Sequence, residues 1–136
     1  MKYFATIFLL VFAASIAGRA QESFGYKTCS NRAKTQTQMN ACAAAELERS
    51  DAELNTVYRK LLAKAADGND SGEKIKAAER AWITYRDAYM DAMYPAADKQ
   101  AQYGSIYPMQ AALVRSKLTQ KQIAALKELL RQYTAK

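Results

Sequence analysis

Residues 29–42 read Cys-Ser-Asn-Arg-Ala-Lys-Thr-Gln-Thr-Gln-Met-Asn-Ala-Cys, and this stretch contains both cysteines of the chain. Within one continuous helix, Cys29 and Cys42 would lie about 20 Å apart, at about 1.5 Å per residue. A disulfide requires Cα atoms within roughly 7 Å of each other. A bridge therefore requires the backbone to reverse, and Thr35-Gln36-Thr37-Gln38 has the capping-box form that begins a new helix. The stretch predicts a helical hairpin closed by a disulfide.

Residues 1–20 have the composition of a secretory signal. A lysine at position 2 precedes an apolar run from Phe4 to Ala17, and Gly18-Arg19-Ala20 supplies small residues for cleavage. The run is shorter than the roughly 20 residues that span a bilayer, and no cysteine follows it to carry a lipid. We expect a cleaved signal peptide at 1–20 and one periplasmic or secreted domain at 21–136. An oxidising compartment favours the Cys29–Cys42 disulfide.

The composition excludes several classes of catalytic and metal-binding site. The chain has no histidine, which excludes the usual zinc sites, Ser-His-Asp triads and Cys-His pairs. The acidic residues Glu46, Glu48, Asp51 and Glu53 crowd one stretch interleaved with a basic residue, which is typical of a solvated helix face rather than of a pair of catalytic carboxylates. We expect no cofactor, no metal and no enzymatic activity.

The formal net charge is +7, of which the predicted signal supplies two. Positive charge favours anionic surroundings such as acidic lipid headgroups or wall polymers. The basic residues are spread along the chain without interleaved aromatics, so no nucleic-acid partner is expected. After the signal, no apolar stretch has membrane length.

Apolar residues recur at three- and four-residue steps and no alternating strand pattern occurs, which predicts an all-α fold, a small up-and-down helical bundle with one disulfide. Gly68 is expected to end the second helix, and Asp70 with Glu73 to form a capping box for the third. The predicted helices cover residues 26–34, 36–66, 71–93, 108–117 and a last helix beginning at 119, with an irregular segment at 95–107.

Five stretches together resemble the LprI-type lysozyme-inhibitor family of small exported bacterial domains. They are residues 35–42 (Thr-Gln-Thr-Gln-Met-Asn-Ala-Cys), 51–58 (Asp-Ala-Glu-Leu-Asn-Thr-Val-Tyr), 80–88 (Arg-Ala-Trp-Ile-Thr-Tyr-Arg-Asp-Ala), and Tyr103-Gly104-Ser105 with Leu118-Thr119. The sequence departs from the family pattern at a few positions. Met90 and Val114 stand where members often carry a second cysteine pair, and Gln38, Glu79 and Gln122 replace the usual glutamate, glutamine and arginine.

Two groups of motif residues have a structural and a functional interpretation. Asp51, Asn55 and Arg59 lie four residues apart on one helix face, so they could bind a ligand or pair with Arg86 and Asp87 of the next helix. The stripe Trp82, Tyr85 and Tyr89 is more often core than site. We favour the structural interpretation for Asp51, Asn55, Tyr58, Trp82, Tyr85, Arg86 and Asp87.

The segment 94–107 is the favoured partner-binding site. It is long for a connection in a bundle, and it contains residue types that binding loops prefer. The candidate residues are Lys99, Tyr103, Gly104, Ser105 and Tyr107. The alternative is an ordered loop whose tyrosines cover the open end of the bundle.

The resemblance implies an exported binding protein that inhibits lysozyme-type muramidases, with the segment 94–107 inserted in the enzyme cleft and its polar groups bonded to the catalytic carboxylates. Electrostatic repulsion opposes inhibition of animal lysozymes, because these enzymes and this chain are both basic. The alternative is an interaction module of the envelope that binds wall polymer, anionic lipid or another envelope protein through its basic surface. The sequence does not predict an oligomeric state.

Overall fold

The computed structural model describes residues 23–66 and 70–135. The predicted signal peptide and the helix end at Gly68 lie outside the described residues. Within them the fold is all-α, as predicted, and contains no strand. The elements are α1 (Phe24–Arg32), α2 (Gln36–Ala65), α3 (Ser71–Met93), α4 (Lys99–Tyr103), a 3₁₀ turn (Gly104–Ile106) and α5 (Tyr107–Thr134).

The reversal between the two cysteines is present. The disulfide joins Cys29 of α1 to Cys42 of α2, with 5.7 Å between their Cα atoms. Thr35 is the N-cap of α2, and its hydroxyl accepts a hydrogen bond from the Gln38 backbone N–H at 3.2 Å. The Gln38 side chain reaches back and accepts from the Lys34 N–H at 2.6 Å. These two bonds satisfy backbone donors at the helix start, so the predicted helical hairpin is confirmed.

The three long helices run up, down and up, so that α2 and α5 are parallel and α3 is antiparallel to both. The direction follows from contacts in which both partners advance together, such as Ser50 with Ser116 and Asp51 with Thr119. The main core lies between α2 and α5, with α3 contributing one buried isoleucine; its buried members are Leu54, Val57, Leu61, Ala65, Ile75, Ile123 and Leu126. Two smaller clusters lie under α1 and under α4.

The predicted break between two last helices is wrong, because α5 is continuous from Tyr107 to Thr134. No glycine or proline interrupts the chain after Pro108, so the helix can continue through Leu118-Thr119. Thr119 is fully buried, and its hydroxyl donates to the Asp51 carboxylate at 3.2 Å instead of capping a helix.

The predicted capping box at the start of α3 is also wrong. Asp70 precedes the helix in a left-handed conformation, with φ of 55°, and its side chain makes no capping bond. Glu73 instead accepts a hydrogen bond from Lys76 at 2.8 Å, and this bond lowers the pKa of the Glu73 carboxyl. The Glu73 side chain therefore pairs with Lys76, three residues later in the same helix, and not with the backbone N–H of Asp70 as a capping box requires.

The segment expected to be irregular has regular structure of its own. Asp98 caps α4 by accepting from the Ala101 N–H at 2.9 Å, and the 3₁₀ turn then leads directly into α5. Across residues 23–66 and 70–135, no helix has the length and apolar character required to cross a membrane.

Candidate functional site

The predicted binding segment is organised around three tyrosines, which we call the tyrosine cluster: Tyr94, Tyr103 and Tyr107. Their ring centroids lie 5.1 to 5.8 Å apart, with two edge-on pairs and one stacked pair. They pack against Met90 and Ala111 at the end of the bundle. Burial, and then the neighbouring tyrosines, raise the pKa of Tyr94 above its ordinary value. The cluster therefore closes this end of the bundle.

Hydrogen bonds hold the rest of the segment in place. The Lys99 ammonium donates to the carbonyl oxygens of Tyr94 at 2.9 Å and Ala96 at 3.2 Å. The Tyr103 hydroxyl accepts from the Ala96 N–H at 3.3 Å. Asn40 of α2 donates from its amide nitrogen to the Ser105 carbonyl at 3.0 Å. Of the predicted binding residues, Lys99 and Tyr103 thus bind to their own chain and position the segment.

The 3₁₀ turn Gly104–Ile106, which we call the turn, is exposed throughout, as are residues 95, 97–98 and 100–102 of the same segment. Gly104 has φ of +70°, a conformation that other residues rarely adopt. Ser105 is exposed, and its hydroxyl makes no hydrogen bond to any residue that the structure describes. Ile106 is 39% exposed although it is a large apolar side chain. The turn presents a polar donor beside an apolar contact.

The stretch that carries the turn contains few charged residues. Between residues 90 and 114 the only charged residues are Asp91, Asp98 and Lys99. Lys99 lies 3.8 Å from the Asp91 carboxylate. The start of α2 lies against this stretch at Gln36, and the basic residue Lys34 stands just before it. This end of the molecule therefore carries charges of both signs.

A second concave region, which we call the cleft, lies between α2 and α3. Its volume is about 410 Å³. Ten residues line it, and eight of them belong to the two long helical stretches on which the family resemblance rests: Asp51, Leu54, Asn55, Tyr58, Arg80, Trp82, Ile83 and Arg86. The other two are Lys76 and Glu79.

The predicted contacts between Asp51 or Asn55 and Arg86 or Asp87 are absent from the described residues, so that prediction is wrong. Asp51 accepts from Thr119 of α5 instead, at 3.2 Å. The Arg86 guanidinium lies over the Trp82 ring, 5.2 Å from its centroid, and its Nε donates to Asp87 at 3.3 Å. Arg86 is therefore engaged by neighbours on its own helix and not by α2.

The aromatic stripe of α3 is core only in part. Trp82 packs against the main core, as expected. Tyr85 and Tyr89 are 55% and 38% exposed, so their prediction as core residues is wrong. They contact each other at 6.0 Å on the outer side of α3. The helix turns only one edge of the stripe toward α2 and α5, because its buried residues Ile75, Glu79 and Met90 define a face rotated away from these tyrosines.

Positions at which the chain departs from the family pattern are neighbours in the structure. Gln122 of α5 donates to the Glu79 carboxylate of α3 at 2.8 Å. Met90 is buried in the cluster under α4, and Val114 packs against the same cluster. Each pair of departures therefore keeps a contact, a hydrogen bond in one case and apolar packing in the other.

The prediction of a solvated acidic face fails at one residue. Glu46 is only 5% exposed, and its carboxylate accepts hydrogen bonds from Ser23 at the N-cap of α1, from Arg49, and from Gln120 of α5 at 3.3 Å. It joins three helices and is fully engaged. No group of His, Cys, Asp and Glu residues in the described ranges could hold a metal ion.

Sequence reasoning missed Arg80 and Glu79 as cleft residues. A signal was available, because Arg80 is four residues after Lys76 and three before Ile83, which places the three on one helix face. Steps of three and four residues from Glu79 reach Trp82, Ile83 and Arg86, which share its helix face.

Comparison with known proteins assigns the family. The family described as lysozyme inhibitor LprI matches residues 29–126, a range that includes both cysteines, the cleft and the turn. An uncharacterized protein of Rhizobium meliloti (strain 1021) is 36% identical over 110 residues, which cover 73% of this chain and 76% of the relative. No solved structure matches the chain. On these matches, together with its all-helical fold and single disulfide, the chain belongs to the LprI lysozyme-inhibitor family.

Proposed function

We propose that this protein is an exported inhibitor of lysozyme-type muramidases and that it acts by placing the turn in the substrate cleft of the enzyme. The observation that carries the proposal is the contrast within residues 94–107. The backbone of the segment is held from inside by Lys99, Asn40 and the tyrosine cluster, while Ser105 and Ile106 face solvent. A preorganised insert loses little conformational entropy on binding, which favours affinity.

The chemistry of the turn matches that of a muramidase cleft. Such enzymes hydrolyse glycosidic bonds with a pair of carboxyl groups that flank the bond. The Ser105 hydroxyl has no partner among the described residues and is free to donate to a carboxylate. Ile106 supplies apolar contact area beside it. Lys99, Tyr103 and Tyr107 hold the turn in position.

Long-range charge does not steer this protein toward a basic enzyme. The chain has a net charge of +7, of which the predicted signal supplies two. The affinity must therefore come from contacts made by the turn itself. Salt screens the repulsion of like charges, so we expect the association rate with a basic enzyme to rise with ionic strength.

Export is part of the same proposal. The disulfide between Cys29 and Cys42 is the kind of bond that forms in oxidising compartments, where wall-degrading enzymes also act. Cleavage of residues 1–20 and a periplasmic or secreted location remain predictions.

The test is the hydrolysis of cell-wall substrate by a panel of lysozymes at increasing concentrations of the purified protein. The chain offers a matched pair of isoleucines, since Ile106 in the turn is 39% exposed and Ile83 on α3 is 41% exposed. Ile106→Asp places a carboxylate against the catalytic carboxylates and should weaken inhibition at least about tenfold, a loss of about 1.4 kcal/mol of binding free energy. Ile83→Asp should leave inhibition unchanged.

Two results would contradict the proposal. Absence of inhibition across the panel at micromolar excess would end the inhibitor function for those enzymes. Equal effects of Ile106→Asp and Ile83→Asp would remove the turn from the mechanism while leaving the inhibition itself intact. Ser105→Ala then tests the contribution of the free hydroxyl donor, and Tyr103→Ala tests the contribution of the packing that positions the turn.

A further inference from the structure

The side chain of Arg86 is held in an unusual arrangement at the cleft. It is only 21% exposed, and its guanidinium lies over the Trp82 ring at 5.2 Å. Its Nε donates to Asp87, but its two terminal nitrogens make no hydrogen bond to any residue in the described ranges. No buried side-chain nitrogen or oxygen there is without a partner, so these terminal nitrogens reach solvent. A guanidinium that is held on an aromatic face and has both terminal nitrogens unbonded can bind a carboxylate through two parallel hydrogen bonds.

Some of the other polar side chains of the cleft make hydrogen bonds within the chain, and others do not. Asp51 and Glu79 already accept hydrogen bonds from Thr119 and Gln122 of α5. Lys76 donates to Glu73, and that bond raises the pKa of the Lys76 ammonium.

In contrast, the side chains of Asn55 and Arg80 are exposed, and neither makes a hydrogen bond to any part of the chain that the structure describes. The groups without a hydrogen-bond partner are thus two guanidinium groups and one carboxamide. The residues that line the cleft include three basic and two acidic side chains, a net charge of +1, which favours an anion. The carboxamide offers both a donor and an acceptor beside it.

The walls and the size of the cleft suit a small molecule rather than an ion alone. Trp82, Tyr58 and Leu54 pack against or within the main core and supply apolar wall. The volume of about 410 Å³ lies within the range of small-molecule sites. Bulk phosphate or chloride would leave the carboxamide and the apolar wall unused.

We infer that the cleft is a binding site for a small ligand that carries a carboxylate next to an amide or hydroxyl group. Arg86 and Arg80 bind the carboxylate, Asn55 bonds the neighbouring amide or hydroxyl, and Trp82 and Tyr58 contact the apolar part. This chemistry occurs in N-acetylated sugar acids and in the carboxyl-terminal end of a peptide.

The cleft is separate from the turn. Asn40, which contacts the turn, and Asp51, which lines the cleft, are eleven residues apart on α2, or about 16 Å along the helix axis. Binding at the cleft therefore does not depend on the proposed inhibition, and each can fail without the other.

The chain provides its own reporter, because Trp82 is its only tryptophan and lines the cleft. The purified protein is titrated with two matched pairs of probes while tryptophan fluorescence is followed. The first pair is N-acetylmuramic acid and N-acetylglucosamine, and the second is N-acetyl-alanyl-alanine and its carboxyl-terminal amide. We expect a saturable change with at least one acid and none with its uncharged counterpart. The acid that changes the fluorescence shows whether the ligand is an N-acetylated sugar acid or the carboxyl-terminal end of a peptide.

Variants separate the two guanidinium groups from general charge. Arg80→Gln should weaken binding of the responding acid about tenfold, as expected for loss of a charge-assisted hydrogen bond. Arg86→Lys keeps the charge but removes the fork, and it should weaken binding by a similar factor. Arg59→Gln is the matched control, because Arg59 is an exposed arginine of α2 outside the cleft, and it should have no effect.

Three results would overturn the inference. They are no fluorescence change with any probe at millimolar concentration, equal responses to an acid and its uncharged counterpart, and equal weakening by Arg80→Gln and Arg59→Gln. Lysozyme inhibition is measured on the same variants. Arg80→Gln should leave it unchanged, so a failure at the cleft is distinguishable from a failure at the turn.

Discussion

Helix α2 meets α5 through small residues in its first half and through the leucines and valine of the main core farther along, whereas it meets α3 through long side chains. Ala43 lies in one buried cluster with Ala112, and the hydroxyls of Ser50 and Ser116 are 2.8 Å apart. On the other side, Tyr58 of α2 meets large side chains such as Trp82 and Arg86 across the cleft. Small side chains let two helices approach closely and leave no room between them, while long ones hold the helices apart.

The difference separates two roles within one small bundle. The α2–α5 pair is a scaffold whose polar groups bond to each other. The α2–α3 side has an open cleft, and some of its polar groups make no hydrogen bond to the residues that the structure describes. Local stability follows the density of buried apolar contacts, so the scaffold should be the more stable part of the molecule. The predictions that follow test this contrast.

The largest effect is expected from truncating the scaffold core. Leu61 is fully buried, so Leu61→Ala should lower the free energy of unfolding by about 2 to 5 kcal/mol through lost burial and a residual cavity. Ile83→Ala, on the cleft side and 41% exposed, should cost less than about 1 kcal/mol. Denaturant unfolding followed by circular dichroism measures both. Equal losses would remove the distinction between the two sides.

Removal of the disulfide should come next. The double change Cys29→Ser with Cys42→Ser should lower the free energy of unfolding by about 3 kcal/mol, because it releases a loop constraint on the unfolded chain. Amide hydrogen exchange should accelerate most in α1, which packs chiefly against α2. Acceleration spread evenly through α2 and α5 would show that the scaffold, too, depends on the bridge.

Substitutions in the buried pair of Ser50 and Ser116 should lower the free energy of unfolding by a smaller amount, and their effects should not be additive. Ser50 donates to the Glu46 carbonyl at 3.0 Å, so Ser116 donates to Ser50. Ser50→Ala leaves the Ser116 hydroxyl buried without that acceptor and should cost about 1 to 3 kcal/mol. A double-mutant cycle with Ser116→Ala should show that the pair costs less than the sum of the single changes. Asn55→Ala, at the cleft, should change unfolding by no more than about 0.5 kcal/mol.

The smallest effect is expected at alkaline pH. Because burial raises the pKa of Tyr94, the folded state retains the phenolic proton more tightly than the unfolded chain. The resulting stability is fully present below the unfolded pKa of about 10 and is lost as the pH rises through the folded pKa. Tyr94→Phe should reduce the loss of melting temperature above about pH 10. Tyr85→Phe, at an exposed tyrosine, should not; a matching benefit would contradict the account.

The sequence predicted the parts of the fold that depend on local pattern. The bounds of α3 and the start of α2 follow from periodicity and from Thr35, and the disulfide follows from the spacing of two cysteines and the turn between them. The continuity of α5 did not follow. A Leu-Thr pair can begin a helix or lie buried inside one, and only the position of Asp51 on α2 decides which use Thr119 has.

The candidate site was predictable only in outline. Segment 94–107 is recognisable as unusual, but its division into a tyrosine cluster and an exposed turn depends on packing against Met90 of α3 and Ala111 of α5, which only the tertiary fold brings together. The exposure of Tyr85 was not predictable from its stripe, because the rotation of α3 about its axis is fixed by tertiary contacts such as Glu79 with Gln122.

Three polar contacts between α2 and α5 follow one another along the two helices. They are Ser50 with Ser116, Asp51 with Thr119, and Glu53 with Lys127. Sliding α5 by one helical turn, about 5.4 Å, would separate all three pairs at once and leave the buried hydroxyl groups of Ser50, Ser116 and Thr119 without these partners. The two helices therefore have a single axial alignment. Any molecule long enough to occupy the turn and the cleft together must match a span that the protein cannot adjust.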